Sequence, residues 1–178
     1  MEQTLESEAL RRHSLDSEAV MRSLAFRLNK DAATAERWAV LGLLHDLDYA
    51  ETENDPSRHG LRTTELLAEK GFEPEELEAI KRHNAESLGL SRENELDLAL
   101  TCGETVTGFI FAAALVRPDK MVANVNPSSV VKKMKDKAFA RSVNRDHIKL
   151  CEQIGLPLDE FIALSIKAMA ERLEQAAD

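Results

Sequence analysis

LGLLHDLDY, residues Leu41–Tyr49, carries an apolar run into a histidine and two carboxylates. Its first half continues a pattern that starts after Asp31, a residue type that caps helices by accepting hydrogen bonds from free N–H groups of the first turn. Between Ala32 and about Asp46, Trp38, Leu41 and Leu44 recur on one face, with His45 on the same inward side, and this spacing predicts an amphipathic helix. A carboxylate buried without a partner is strongly disfavoured, so Asp46 at the end of such a run implies a partner or a metal ion. The following stretch, YAETENDPSR (residues 49–58), is polar, contains Asp55-Pro56 and reads as a loop.

Working outward, the same 3.6-residue period recurs on both sides. Leu15–Leu28 places Leu15, Ala19, Val20, Leu24 and Leu28 near one face. His59 is expected to open a third helix, which carries Leu61, Leu66 and Leu67 and stops at Gly71. Pro74 suits a first helical turn, from which Leu77 and Ile80 lead to His83. A longer helix is expected over Glu95–Val116, with Leu96, Leu100, Glu104 and Thr107 close to one stripe. Pro118 and Pro127 bracket a connector, followed by expected helices over Val130–Phe139, Val143–Ile154 and Asp159–Leu173. No period-two alternation and no fixed repeat are visible. The expected fold is all-α, a single domain over residues 1–178, with a core at about 8–116 and a helical extension at about 117–178.

Composition narrows the function. Apolar residues at 43% and charged residues at 31% fit a folded globular chain, and a net charge of -9 argues against binding a nucleic-acid polymer. The two cysteines, Cys102 and Cys151, lie far apart inside expected helices, which fits a reducing compartment better than a disulfide framework. The acidic start of the chain lacks the pattern of a secretory signal, and Val106–Val116 is short for a membrane span, so a cytoplasmic location without membrane insertion is expected. Apolar helix faces near the C-terminus leave room for a homo-oligomer.

Four of the five histidines form an ordered series, His13, His45-Asp46, His59 and His83, with Glu104 on the next long helix. Imidazole nitrogen and carboxylate oxygen are the usual donors for Zn, Fe, Mn, Co or Ni, whereas Mg prefers oxygen alone. A single histidine on a helix is ordinarily a surface or hydrogen-bonded residue. The ordered set is what points to a metal. His147 stands outside it, and a basic stretch, Lys132, Lys133, Lys135, Lys137, Arg141 and Arg145, reads first as a solvated helix face.

This order of histidines around a His-Asp dyad, on successive helices, resembles the HD superfamily of metal-dependent phosphohydrolases. The resemblance covers roughly His13 to Val116 and implies an HD-type helical bundle. It implies His13, His45, Asp46 and Glu104 as ligands of a first ion, and His59 and His83 as ligands of a second, with Asp46 bridging and taking part in catalysis. Two departures stand out: Glu104 occupies a place where the family usually has Asp, and Leu47-Asp48-Tyr49 lacks the lysine of the cyclic-dinucleotide-cleaving relatives. The implied cofactor is one or two divalent ions (Mn, Fe, Co, Ni or Zn), and the implied partner is a small phosphorylated substrate. Arg58, Arg82, Arg117 and Lys120 are the expected phosphate contacts. Metal-assisted hydrolysis is the first reading, a di-iron oxygenase the second, and a non-catalytic metal-binding or sensing module the third.

Overall fold

Ser7 starts the first helix well before its apolar stripe: its hydroxyl accepts from the Leu10 amide, and Glu8 sits favourably at the positive end of the helix dipole. In the computed structural model, which describes residues 7–175, this helix is α1, Glu8–Arg27. The expected start at Leu15 is therefore too late, because the inward face of the early turns is polar: Ser14, Asp16 and Ser17 are buried there. Asp16 accepts from Arg172 at 2.8 Å, which ties α1 to the last helix. His13 is thereby on a helix.

Asp31 caps α2 (Ala32–Leu44) as expected, accepting from the Thr34 amide at 2.8 Å. The helix ends just before the dyad, so His45–Asp48 form turns. Residues 49–58 are not a plain loop, for they contain the short helix α3 (Tyr49–Thr52) and a 3-10 turn at Pro56–Arg58. His59 precedes the third long-range element rather than opening it: Gly60 adopts φ 89°, and α4 then runs Leu61–Ala68. Helix α5 (Pro74–His83) starts with Pro74 in its first turn, α6 is Ala85–Leu88, and α7 spans Glu95–Leu115 behind an Asn94 capping box.

The extension departs most from expectation. Helix α8 is only Pro127–Lys133, α9 is Arg145–Lys149 followed by a 3-10 turn at Leu150–Ile154, and α10 is Leu158–Gln175. Between α8 and α9 the chain is irregular, and Ala140 takes φ 40°. The reason is Arg145, whose guanidinium donates to the carbonyls of Ala140 (2.7 Å), Val143 (2.6 Å), Asp136 (3.2 Å) and Phe139. One side chain supplies what a helical ladder would have supplied.

Among the described residues every regular element is helical, so the fold is all-α. Helix α7 lies at its centre, packed against α1, α5, α9 and α10. It is long and apolar enough to cross a membrane by length and composition, but its most apolar stretch is mostly buried against these neighbours. Leu24, Leu41, Ile80, Leu100, Phe109 and Phe161 form part of one continuous apolar cluster. Burial of each such side chain contributes roughly 1.5–3 kcal/mol before entropy is counted. Gly42 lets α2 approach α1: a methyl group there would stand 2.6 Å from the Ser17 carbonyl oxygen.

Candidate metal centre

Five donors meet where α1, the end of α2, the Gly60 turn and the end of α5 converge. His13, His45 and Asp46 form one group, and Asp46, His59 and His83 a second, with the ligand atoms within each group no more than 4.8 Å apart. Asp46 belongs to both. Its Oδ2 lies 3.5 Å from His13 Nε2, and its Oδ1 lies 3.4 Å from His45 Nε2 and 3.1 Å from His59 Nε2. His45 and Asp46 are buried, and His13 and His59 are partly open.

The outer nitrogens fix which atom of each ring faces the centre. His45 Nδ1 donates to the Gly42 carbonyl at 2.8 Å, and His83 Nδ1 donates to the Ile80 carbonyl. His59 Nδ1 donates to Asp48 at 2.9 Å. Thr107 spends its own proton on the Glu104 carbonyl, so its oxygen accepts from His13 Nδ1 at 2.9 Å. In the neutral rings each Nε2 therefore presents a lone pair inward. Yet His13 and His45 Nε2 stand 3.2 Å apart, and His59 and His83 Nε2 2.9 Å apart. Facing lone pairs repel unless a proton or a metal ion lies between them. Two nitrogens bound to one ion at about 2.0–2.1 Å would be roughly 2.9–3.4 Å apart, depending on geometry. The donor set fits a divalent ion in either group.

Electrostatics agree with that fit. Burial disfavours charge on Asp46, but the surrounding imidazoles outweigh it and hold the carboxyl well below its usual range. Burial takes His45 down to about 3, so it is neutral. Burial also opposes charge on His59, but hydrogen bonds to Asp46 and Asp48 prevail and push it up to about 9. A proton and a metal ion compete for that nitrogen. Glu104 stands at the edge, 3.8 Å from His13, with its other oxygen accepting from Thr105, and burial pushes it up to about 8.

A cavity of about 930 Å³ opens over these donors, and His13, Asp46, His59, His83 and Glu104 line one side. Ser142, Val143, Asn144 and His147 line the other. The four expected phosphate contacts are not among the lining residues. Arg82 neighbours His83 in sequence, but consecutive helical residues are rotated by about 100°, so its guanidinium meets Asp97 at 2.9 Å and Glu93 at 3.0 Å. Arg117 folds onto Asp119 beyond the far end of α7, Lys120 occupies a left-handed turn there, and Arg58 is exposed. Sequence adjacency did not survive the helix twist.

Three other residues matter instead. Asp48 accepts from His59 and from the Gly60 and Thr63 amides at 2.9 and 3.1 Å, orienting a donor from behind. His147, set aside in the sequence, reaches the cavity from the extension and bonds Glu86 at 2.9 Å. Arg92 lies behind it, donating to the His83 carbonyl and pairing with Glu86. Only the Asp48 position carried a signal, since it lies two residues after Asp46. No known protein family, curated protein or solved structure matches this chain.

Proposed function

We propose that the protein is a metal-dependent phosphohydrolase of the HD superfamily, acting on a small phosphate ester. The observation that carries the reading is the pair of His-Asp groups sharing Asp46, all four imidazoles turned inward by their outer hydrogen bonds, at the floor of an open cavity. His13, His45 and Asp46 would hold one ion, with Glu104 beside them, and His59, His83 and Asp46 a second. A divalent ion in such a set lowers the pKa of bound water toward about 7 and offsets charge on phosphoryl oxygens.

The chain itself does the positioning. Asp48 and Gly42 hold His59 and His45 by Nδ1, so that Nε2 of each faces the centre. Asp46, ionised at neutral pH, is the group placed to orient a nucleophile. His147, steadied by Glu86, offers an imidazole to the opposite side of the substrate. Among the described residues no lysine or arginine lines the cavity, while Asp46, Glu53 and Glu104 do. That charge balance favours a phosphomonoester or diester over a polyphosphate.

The test is direct: protein loaded with Mn, Co, Ni or Fe should release phosphate or the corresponding alcohol from a phosphate-ester panel, and His45→Ala and Asp46→Ala should not. Full activity in either variant would overturn the reading. The same histidine-rich, cation-poor cavity also suits a di-iron oxygenase, for which substrate-dependent oxygen uptake by iron-loaded protein is the discriminating measurement.

A further inference from the structure

A second recess, of about 660 Å³, lies between α8, α9 and the start of α10. Its rim carries Lys135, Lys137, Arg141 and Lys149, its floor includes Val131, Met134 and Leu158, and Asp146 is the single carboxylate of its lining. Residues 132–149 hold seven basic and two acidic side chains, a net charge of +5 in a chain of -9, so the remainder carries -14. The sequence alone reads this stretch as a solvated helix face. The structure removes that reading, because the segment is an irregular loop for most of its length, folded around a recess.

The charges there divide by role. Arg145 is spent on backbone carbonyls and fixes the loop, and Lys149 pairs with Asp146 at 3.1 Å. Lys135, Lys137 and Arg141 are exposed and form no ion pair among the described residues. Three unpaired cations on a loop of fixed shape repel one another, and an anion between them relieves the repulsion. The recess has the size of a small-molecule site, and its apolar floor suits an uncharged body attached to the anion. A long polyanion would have to run across the acidic remainder of the surface, which disfavours RNA and anionic membranes alike.

We propose that this recess binds a small organic polyphosphate, of the nucleoside di- or triphosphate class, at a site separate from the metal cavity. The phosphates meet Lys135, Lys137 and Arg141, and the organic group rests on Val131, Met134 and Leu158. The inference does not depend on what the metal cavity catalyses. Val143 and Asn144 line both recesses, so the two sites share a wall.

The experiment is calorimetric titration of the full chain, kept in chelator, with ATP, inorganic tripolyphosphate and adenosine. ATP should bind once per chain, tripolyphosphate should bind more weakly, and adenosine should not bind. Lys137→Ala and Arg141→Ala, both on exposed side chains, should each weaken ATP by about tenfold or more with an unchanged circular dichroism spectrum. His45→Ala should leave ATP binding intact. Absence of saturable ATP binding overturns the proposal, as does ATP binding that His45→Ala abolishes and the loop variants leave alone. Binding of single-stranded RNA or phosphatidylserine vesicles without ATP binding overturns it too, in favour of a macromolecular partner.

Discussion

The metal cavity and the basic recess are neighbours built on opposite principles. In the cavity, each donor is held by a second partner: Asp48 behind His59, the Gly42 carbonyl behind His45, Thr107 behind His13. In the recess, the cations are exposed and one half-buried arginine shapes the loop that carries them. Preorganised donors suit a ligand that must be held at fixed angles, and exposed lysines suit one recognised mainly by charge. Cations are absent from the cavity and concentrated next to it, which is the reverse of what the sequence neighbours of His59 and His83 suggested.

The sharpest break between the two regions would come from the donors. Asp46→Ala removes the shared ligand and should empty both ion positions, whereas His59→Ala should leave one. Metal content per chain, measured on protein refolded with Mn or Zn, separates two from one from none. Two ions retained in Asp46→Ala would falsify the shared-ligand arrangement. Next in size is Asp48→Asn, which keeps the shape but weakens the hold on His59; metal affinity should fall by about 10–100-fold without a change in fold. Competition with a chromogenic chelator reads it.

Gly42→Ala tests whether the approach of α1 to α2 sets the cavity. The added methyl meets the Ser17 carbonyl, which cannot move aside as the nearby Met21 side chain can, so a loss of about 1–3 kcal/mol is expected in denaturant unfolding. Metal affinity should fall with it, because His13 rides on α1 and His45 caps the end of α2. Lysine substitutions in the recess should leave that affinity unchanged.

Protonation gives a smaller effect with a definite sign. Glu104 and His59 both have folded pKa values raised, to about 8 and about 9. Each binds its proton more tightly when folded, so stabilisation is full below the unfolded values and is lost as pH rises through about 4.5 to 8 for Glu104 and 6.5 to 9 for His59. His45, lowered to about 3, acts only on the acid side of 6.5. Chelated protein should therefore melt at a lower temperature at pH 9 than at pH 6.5, and saturating Mn should shrink the difference. A melting temperature that rises over this interval in chelator would refute the assignment. The least effect belongs to Arg58→Ala, for which metal content, activity and stability should all match the parent chain.

The helical class was legible because Leu24, Leu41, Leu100 and Phe161 lie on periodic stripes that the structure buries. Asp31 was legible as a cap for the same local reason. The start of α1 was not, since Ser14, Asp16 and Ser17 are buried polar residues with no apolar period. The loop after Lys133 was hidden too: its order comes from one arginine bonding four carbonyls, an arrangement without a sequence period. In the cavity, the four histidines and Asp46 could be grouped from their order around the dyad, three of the histidines lying at or next to helix ends. His147 could not, for its place depends on how the extension folds back over α7. Arg82 misled because its neighbour His83 faces the other way.

The strip Val143–Asn144 has two faces, one toward the metal cavity and one toward the basic recess. Any occupant of the recess that shifts this strip changes the free energy of whatever sits in the cavity, and linkage makes the exchange symmetric. The affinity of one site, measured with the other filled and then empty, gives their coupling as a single number that is the same read from either side.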